Sequence, residues 1–581
     1  IRRARRIVPA FFVTVLVTFI FAFALFSPEL FKRFGLAMTT SIFSVSNIFF
    51  WSESGYFDTS SSLKPLLHTW SLGVEEQFYL FWPILLLLFS HKKLWLFIFS
   101  IGTASLVLNY IWVLGRFDLE LKNTIFFWTP FRVFEFVIGA AGVYFSRHYQ
   151  ISNKVLLNAV SVIGLFCILV SLMLYTDDIA FPYFYAVLPC LGTLLIILSG
   201  KSSLTRTFFS NTVFIKTGLV SYSIYLVHWP IISFYRYQEY GELELMDYAF
   251  IVLLIIFATL LLYFYIEKPF RRKKHGLQLN GEQGTFVVGC IVSMLIASTA
   301  GAGIFYFNGW SWRLPSHMSA IQVQQGKDNR FLHLNAQQGC KLLRLNNPNH
   351  CYINRPVQVL IVGNSHEVDA YNIFHKIYGN DENVNLISFG SINQCHPRIN
   401  GQGTVFSDMP QRKCSDRIGM LSEPNFASKI DVIVLSLSKP FINDKNREAV
   451  WRALENFKTL NPNVKLIVMG GYLITKVECS ELFNRYGSFD ACKSEANLKY
   501  IAQDEVSSTS IPLAKSLEYL YIDKFSLLCE TEKIESCIVE ANGEPMSYDA
   551  HHLSLGFAQY LGELVSVNYE DELQILGLPP Q

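Results

Sequence analysis

Charged residues are scarce in this chain. Asp, Glu, Lys and Arg make up 16% of its 581 residues, whereas soluble globular domains carry about 25%. The net charge of +2, with basic residues confined to short loops between apolar runs, is not typical of a protein that binds nucleic acid. Residues 1–308 form a series of apolar runs, while residues 309–581 have a mixed composition. Composition therefore predicts a membrane-embedded part followed by a soluble part.

The chain also lacks a CxxC motif and any cysteine spacing typical of a metal site, so we expect no bound metal. Eight of its 11 cysteines lie in the soluble part. An even number there predicts disulfides and an oxidising compartment, the alternative being unrelated free thiols. Their spacing resembles four sequential pairs, at positions 340, 351, 395, 414, 479, 492, 529 and 537. An initiator methionine is absent too, and we expect a further segment before Ile1.

Ten apolar runs are visible in the first part, and most approach the roughly 20 residues that a membrane-spanning helix needs. The run at 36–51 is short and rich in Ser and Thr. If this run is re-entrant or interfacial, all the basic loops and the N-terminal arginines lie inside. We therefore predict nine spans, a long outer loop from about 27 to 72, and a soluble part outside. The runs are 8–26, 36–51, 73–90, 94–113, 127–145, 156–175, 183–200, 217–235, 247–266 and 285–307.

Ionisable side chains occur within these apolar runs, where they are costly and indicate function. The set comprises His68, Glu75, Glu76, Arg132, Glu135 and His228. The first three are predicted at the outer mouth of the 73–90 span, and Arg132 and Glu135 share one helical face because they are three residues apart. Together they predict a chamber for a polar ligand. Alternatively, Arg132 and Glu135 form a structural ion pair and His228 is an interface anchor.

Short apolar segments alternate with helical patterns in the soluble part. This alternation predicts a parallel sheet covered by helices on both faces. The strand candidates are 357–362, 384–389, 432–437, 464–469 and 518–523, and the helical stretches are 367–378, 446–459, 493–505 and 555–567. Weak periodicity predicts a linker over 309–340, between a membrane domain at 1–308 and a soluble domain at 341–581.

Three residues of the soluble part supply the roles of an acyl-transfer triad. Ser365 directly follows the first strand candidate, at the sheet edge where open α/β folds place their sites. Asp549 and His552 lie in the terminal DAHHLS block, three residues apart, so that one can orient the other. They predict a nucleophile, a general base and an orienting carboxylate. His551 is the competing candidate for the base. The non-catalytic alternative is a serine at a turn and a pair of solvated histidines.

Five blocks follow one another in the first part of the chain: RRARRIVPA, LKPLLHTWSLGVEEQFYLFWP, PFRVFEFVIG, VSYSIYLVHWP and YIEKPFRR. In this order they resemble the membrane acyltransferase-3 family over about residues 1–275. This resemblance implies O-acetylation of bacterial surface sugars, including lipopolysaccharide O-antigen, with acetyl-CoA as donor and no resident cofactor. Its RxxR motif maps to Arg3 and Arg6 and implies handling of the acyl-CoA, although these arginines could serve topology alone. The family's leading catalytic histidine would precede Ile1.

The soluble part resembles the SGNH hydrolase domain that is often fused to such proteins. Its nucleophile block reads GNSH, with Asn364 in place of the usual Asp, and no matching block with an Asn donor is evident, since Asn443 lies beyond the expected strand edge. Oxyanion stabilisation is therefore expected from backbone N–H groups, those of Ser365 and Gly390. The implied fold is a multi-pass α-helical membrane domain plus an α/β/α SGNH-type domain with a mainly parallel sheet.

Together these observations predict a two-stage O-acyltransferase in a bacterial inner membrane, with its C-terminal domain in the periplasm. Its expected partners are the lipid bilayer, acyl-CoA and a carbohydrate acceptor, which is lipid-linked or part of lipopolysaccharide. Two alternatives stay open. The protein could be a membrane-anchored periplasmic carbohydrate esterase, or a non-enzymatic lipid-glycan transporter whose soluble domain only binds the glycan.

Overall fold

A computed structural model describes most of the chain, and the chain divides into two compact units. One unit comprises Ile1–Glu239 and Leu243–Trp310, and the other contains Ser311–Gln581. The described residues are 2–53, 61–88, 91–114, 120–148, 153–176, 179, 181–239, 243–271, 281–314, 323–336, 355–363, 365–390, 396–400, 403–407, 424–436, 455, 457–475, 477–494, 498–501, 518–530, 536–549 and 551–580.

The first unit is a multi-pass α-helical membrane domain. Its helices are α1 Arg2–Leu25, α2 Pro28–Ile42, α3 Ser46–Glu53, α4 Thr69–Leu88, α5 His91–Leu114, α6 Glu120–Phe127, α7 Val133–His148, α8 Lys154–Leu174, α9 Val187–Leu198, α10 Ser203–Phe209, α11 Thr212–Gln238, α12 Leu245–Leu261, α13 Lys268–Arg271 and α14 Gly281–Tyr306. A π-helical turn, Leu262–Glu267, joins α12 to α13.

By length and composition, five helices in the described part of the chain can cross a membrane, or six if the bent pair Phe184–Leu198 and Ser203–Phe209 forms one span. Many of their apolar side chains point outward: Leu172 and Met173 are more than 70% exposed. Outward apolar surface on this scale suits a lipid environment. The predicted count of nine spans stays a prediction, since the other apolar runs are helical here but shorter or less apolar.

The run at 36–51 breaks into two helices. α2 ends at Ile42, and Ser44 adopts a positive φ of 57° before α3 begins at Ser46. The side chain of Asn47 is buried, donates to the carbonyl of Phe127 at 3.0 Å and accepts from Gln77 at 2.9 Å. Buried polar groups that are paired in this way cost little, which explains why so polar a run can lie inside the unit.

The second unit contains a five-stranded parallel sheet in the order β2-β1-β5-β6-β9. The strands of the unit are β1 Val357–Gly363, β2 Val384–Gly390, β3 His396–Asn400, β4 Gly403–Ser407, β5 Val432–Ser436, β6 Lys465–Gly470, β7 Tyr472–Thr475, β8 Leu498–Ile501, β9 Leu520–Asp523, β10 Glu540–Ala541 and β11 Glu544–Pro545. Its helices are α15 Val323–Asn329, α16 Leu332–Ala336, α17 Glu367–Tyr378, α18 Pro424–Ala427, α19 Cys479–Tyr486, α20 Lys524–Leu528, α21 Leu555–Asn568 and α22 Glu570–Ile575.

The strand order reverses at β1, because β2 lies on one side of β1 and β5 on the other. Such a switch point opens a crevice at the carboxyl edge of a parallel sheet. α17 packs against α21 and against β1 and β2, with Tyr371, Phe374 and Phe557 fully buried between them. The five predicted strands and the helices at 367–378 and 555–567 are confirmed. This is the predicted α/β/α fold with a mainly parallel sheet.

One predicted element is wrong. The sequence predicts a helix over 493–505, but Leu498–Ile501 forms β8 and pairs antiparallel with β7, Leu498 opposite Thr475. Leu498 is buried in the soluble core, so tertiary packing overrides local helix preference here. Most of the predicted helix at 446–459 lies outside the described residues.

Two of the four sequential cysteine pairs form disulfides, Cys479–Cys492 and Cys529–Cys537. The bonded cysteines are 13 and 8 residues apart, and all four are buried in the core of the unit. These bonds confirm the expectation of disulfides in this part of the chain. The cysteines at 340, 351, 395 and 414 lie outside the described residues.

Candidate active site

Ser365 lies just beyond β1, at the switch point of the sheet. β1 enters through buried positions 358–361, which explains why this apolar run forms a central strand. It ends at Gly363, where a Cβ atom would lie 1.9 Å from the carbonyl oxygen of Ser436 in β5. The close approach of β5 therefore requires glycine at this position. α17 begins at Glu367 and directs the chain away from the site.

Three predicted residues form a continuous hydrogen-bond chain. The Nε2 atom of His552 lies 2.7 Å from Oγ of Ser365, and its Nδ1 atom lies 2.6 Å from Oδ2 of Asp549. His552 is 1% exposed and the side chain of Asp549 is 10% exposed. In this arrangement the carboxylate fixes the imidazole, which can take the proton of the serine hydroxyl.

Local backbone contacts shape the loop that carries Asp549 and His552. Oδ1 of Asp549 accepts the backbone N–H of His552 at 3.0 Å. The Ser547 hydroxyl accepts the backbone N–H of Asp549 at 3.1 Å, as in an Asx- or ST-type turn. Immediately afterwards Ser554 caps α21 by accepting the N–H of Phe557. The DxxHxS spacing therefore both positions the pair and starts the next helix.

Burial and charge shift both titrating groups of the chain. Burial raises the pKa of Asp549, but the hydrogen bond and charge of His552 outweigh it and hold that pKa well below its usual range. Burial lowers the pKa of His552 and the nearby positive charge of Arg330 lowers it further, against the opposing effect of Asp549. A neutral imidazole beside an ionised carboxylate is the form required of a general base.

His551, the competing base, takes a different position. Its Nδ1 atom lies 3.1 Å from the backbone carbonyl of Asp549, and its side chain is 33% exposed. Its ring lies 4.0 Å from the ring of His552, between centroids, and is tilted by 40° against it. The ring of His552, rather than that of His551, reaches the hydroxyl of Ser365.

One nitrogen each of His366, His551 and His552 lies within 4.8 Å of the others, a spacing that could hold a metal ion. Both nitrogens of His552 are already engaged in the triad, and Nδ1 of His366 lies 3.1 Å from Asp369. A metal would have to displace these contacts. The arrangement therefore fits a serine-based site better than a metal site.

Gly390, the predicted oxyanion donor, ends β2 opposite Gly363 of β1. It lies at the same sheet edge as Ser365. Its role in binding an oxyanion stays a prediction. Asn364 and Asn443 lie outside the described residues.

In the membrane unit, Arg3 contacts the two acidic residues of α4. Its guanidinium lies 3.2 Å from Glu76 and 3.9 Å from Glu75, and it stacks over the ring of Tyr79. The sequence places Arg3 inside and the two glutamates at the outer mouth. That separation is wrong, because a salt bridge requires one common level. The error arose from placing Glu75 and Glu76 by their distance from the start of an apolar run, which does not determine against which helix end they pack.

Arg6 faces a carboxylate that sequence reasoning missed. Glu267, in the π-helical turn, is fully buried; it accepts a hydrogen bond from Ser223 at 2.7 Å and lies 3.8 Å from Arg6 and 3.9 Å from Arg271. The YIEKPFRR block could have indicated Glu267, because it places an acidic residue at the end of a long apolar run. An acidic residue in such a position is rarely buried without a partner.

The remaining predicted polar residues form two further pairs. Arg132 lies 3.4 Å from Glu135, donates to the carbonyl of Phe126 at 2.7 Å and lies over the ring of Trp70. The ion pair agrees with the structural alternative, while a ligand role stays a prediction. The rings of His68 and His228 lie 5.6 Å apart, between centroids. The six residues thus occupy three contact sets, together with Arg3.

The membrane unit is similar in sequence to known acyltransferases. Residues 1–268 match the family profile described as an acyltransferase domain. The O-acetyltransferase OatA of Staphylococcus aureus (strain NCTC 8325 / PS 47) is 29% identical over 311 residues, 51% of this chain and 51% of that protein. The peptidoglycan O-acetyltransferase OatA of Listeria monocytogenes is 31% identical over 248 residues, 40% of this chain and 39% of its own. This chain thus aligns with about half the length of these relatives or less.

Among solved structures, the periplasmic domain of the lipopolysaccharide acetyltransferase of Salmonella ser. Paratyphi A matches with a TM-score of 0.34 and 15% identity. It covers 44% of this chain and 100% of its own. The family assignment rests on the profile match and on the five sequence blocks, which agree over nearly the same residues. Residues 1–268 therefore match the acyltransferase-3 family.

Proposed function

We propose that this protein is an O-acyltransferase that moves an acetyl group from acetyl-CoA to hydroxyl groups of a cell-envelope polysaccharide, by way of an ester on Ser365. The observation that carries the proposal is the hydrogen-bond chain from Asp549 through His552 to Ser365. A membrane domain of the acyltransferase-3 family on the same chain supports acyl transfer over simple hydrolysis.

The soluble unit performs two half-reactions. In the first, Oγ of Ser365 bonds to the carbonyl carbon of the acetyl donor, an ester or thioester, and its proton passes to Nε2 of His552. The bond between that carbon and the oxygen or sulfur of the donor breaks, and Nε2 gives the proton to this leaving atom. In the second, a sugar hydroxyl oxygen bonds to the same carbon and gives its proton to Nε2. The serine ester bond then breaks, and Ser365 recovers the proton. Backbone N–H groups of Ser365 and Gly390 stabilise the oxyanion of each intermediate.

The membrane unit takes the acetyl group from cytoplasmic acetyl-CoA. Arg3 and Arg6 bind its phosphates, since guanidinium groups match phosphate oxygens bidentately. In the structure both arginines face carboxylates, Glu76 and Glu267. A phosphate therefore competes with these carboxylates for the guanidinium groups. While no donor is bound, the ion pairs with these carboxylates keep the arginines in position.

The setting of the soluble unit is the periplasm of a bacterium, with the helices in the inner membrane. Disulfides support this proposal, because they persist in oxidising compartments and are rare in the cytosol. The acceptor is a glycan of the same compartment. The names of the relatives support peptidoglycan, and the family resemblance adds lipopolysaccharide O-antigen as the alternative.

The test measures ester-linked acetate on purified glycans. Cells lacking the gene receive the full-length gene, either wild type or with Ser365→Ala, and acetate is released by mild alkali from separated peptidoglycan and lipopolysaccharide fractions. We expect acetate in one fraction with the wild type and loss of it with Ser365→Ala. Full acetylation by Ser365→Ala would reject the serine ester.

A periplasmic esterase is the second candidate, since water can attack the same ester. It predicts the opposite sign: glycan acetate would rise when Ser365 is replaced. It also predicts no dependence on Arg3 in the membrane unit. Arg3→Gln in the same cells therefore separates the two functions.

A further inference from the structure

Residues 323–336, which lie in the predicted linker, are part of the soluble unit. α15 and α16 occupy this segment, α16 packs against α17, and Leu334 is buried in the core of the unit. At Gly326 a Cβ atom would lie 2.2 Å from the ring of Tyr548, the residue that precedes Asp549. The segment therefore packs directly against the loop that carries two members of the triad.

Arg330, between α15 and α16, reaches the other triad loop. It is 5% exposed. Its Nη2 atom donates to the backbone carbonyl of Ser365, and its Nε atom donates to Oδ1 of Asp369 at 2.8 Å. Asn372 in turn donates to the backbone carbonyl of Arg330 at 2.9 Å. One guanidinium group thus ties the nucleophile's own peptide to the first turn of α17.

β2 and β5, the two strands that flank β1, also contact the segment 365–367. The Ser436 hydroxyl of β5 donates to the carbonyl of His366 at 3.1 Å, and the Ser388 hydroxyl of β2 donates to the carboxylate of Glu367. Three successive residues, 365 to 367, are therefore each held by a contact from a different element. Arg330 supplies the contact to the residue that carries the reacting oxygen.

We propose that Arg330 is a positioning residue of the active site, which makes the segment 323–336 part of the catalytic unit rather than a spacer. The inference rests on the proposed serine ester. Arg330 acts through Ser365 and Asp369, since its guanidinium donates to the backbone carbonyl of the one and to the carboxylate of the other.

Its charge also acts on the base. The titratable and charged groups that face His552 are Asp549, His551, His366, Asp369 and Arg330, with Lys524 next to His366 and Asp369. Among these, Arg330 is the cation that disfavours a charged imidazole at His552, while the two aspartates favour it. Removal of the guanidinium charge therefore raises the pKa of His552.

The test is the rate at which a fluorophosphonate probe labels Ser365 in the full-length chain, purified in detergent, as a function of pH. Arg330→Gln loses both the geometry and the charge, so we expect labelling to slow roughly 10- to 100-fold and the acid limb of the profile to move to higher pH. Arg330→Lys keeps the charge but not the two-armed contact. We expect it to keep the wild-type acid limb and recover part of the rate.

Lys376→Gln is the matched control, because Lys376 lies outside the segment 323–336, is exposed on α17 and pairs there with Glu563 of α21. We expect it to label as fast as the wild type. A wild-type labelling rate and pH profile in Arg330→Gln would overturn the inference. So would equally slow labelling in Arg330→Gln and Arg330→Lys if the acid limb of the pH profile did not move. If Arg330→Gln does not fold, Arg330→Lys decides by the same two readouts. An unlabelled wild type would instead reject the serine ester itself.

Discussion

Nε2 of His552 lies 2.7 Å from Oγ of Ser365, although 187 residues separate them along the chain. Two elements close this distance. Ser365 lies just beyond β1, the first strand of the sheet, and His552 precedes α21, which packs on α17. Docking of α21 against α17 therefore brings the imidazole of His552 to the hydroxyl of Ser365.

Replacing the two adjacent histidines separates their roles. His552→Gln removes the base that contacts Ser365, so we expect probe labelling of Ser365 to fall roughly 10³–10⁴-fold. His551→Gln removes a ring that is 33% exposed and contacts the backbone carbonyl of Asp549. We expect its labelling rate to stay within about threefold of the wild type. Both rates are measured with the fluorophosphonate probe on the full-length protein.

The reverse order of the two rates would assign the base to His551. An equal loss of labelling rate in both variants would show that the two adjacent rings act as one unit. A melting curve for each variant, followed by tryptophan fluorescence, controls for loss of the fold.

The sheet and the contacts among Asp549, His552 and Ser365 could be predicted from the sequence because local signals were strong. β1 and β5 are short, almost fully buried apolar runs, and in parallel sheets such runs stand out from the amphipathic helices between them. Asp549 and His552 also belong to one tight turn, so their spacing in sequence fixed their spacing in space.

Contacts between distant segments could not be predicted. Arg330 lies within the weakly periodic stretch 309–340, and its role comes from contacts with Asp369 and Ser365, which are distant in sequence. The pairing of Arg3 with Glu76 depends on how α1 packs against α4. Periodicity reports which face of an element is buried, not the partner element against which that face packs.

The pH dependence of Ser365 reactivity follows from the surroundings of His552. Burial lowers the pKa of this imidazole, and Arg330 lowers it further. Only the neutral form accepts the serine proton, so the rate rises with pH through this pKa. We expect the acid limb of probe labelling to have its midpoint below 6.5, the ordinary value of histidine.

Labelling rates from about pH 4 to about pH 8 give this midpoint. Asp549→Asn is the matched comparison, because it removes the partner that favours the imidazolium. We expect its midpoint to lie lower still and its plateau rate to fall. A wild-type midpoint above 6.5 would contradict the role of burial.

Glu267 gives a stability prediction for the membrane unit. Its carboxylate is fully buried, accepts from Ser223 and faces Arg6 and Arg271. Glu267→Gln keeps an acceptor for the hydroxyl but removes the charge between the two arginines. We expect the free energy of unfolding to fall by about 1–3 kcal/mol. Thermal unfolding in detergent measures the change.

Glu29→Gln provides the control, since Glu29 pairs with Arg33 at the surface of α2. Its loss should change the free energy of unfolding by less than about 1 kcal/mol. A more stable Glu267→Gln would mean that the cost of burying the carboxylate exceeds the attraction of both arginines.

Gly363→Ala tests how closely the sheet edge is fitted around the nucleophile. The added methyl group would lie 1.9 Å from the carbonyl oxygen of Ser436 and 3.1 Å from Cβ of Glu367. β1 and β5 must separate at the edge that presents Ser365, so we expect probe labelling to slow at least roughly tenfold. At Gly139 nothing lies within 4 Å of the added atom, and Gly139→Ala should label like the wild type. Unchanged labelling in Gly363→Ala would show that the edge can shift without displacing Ser365 from His552.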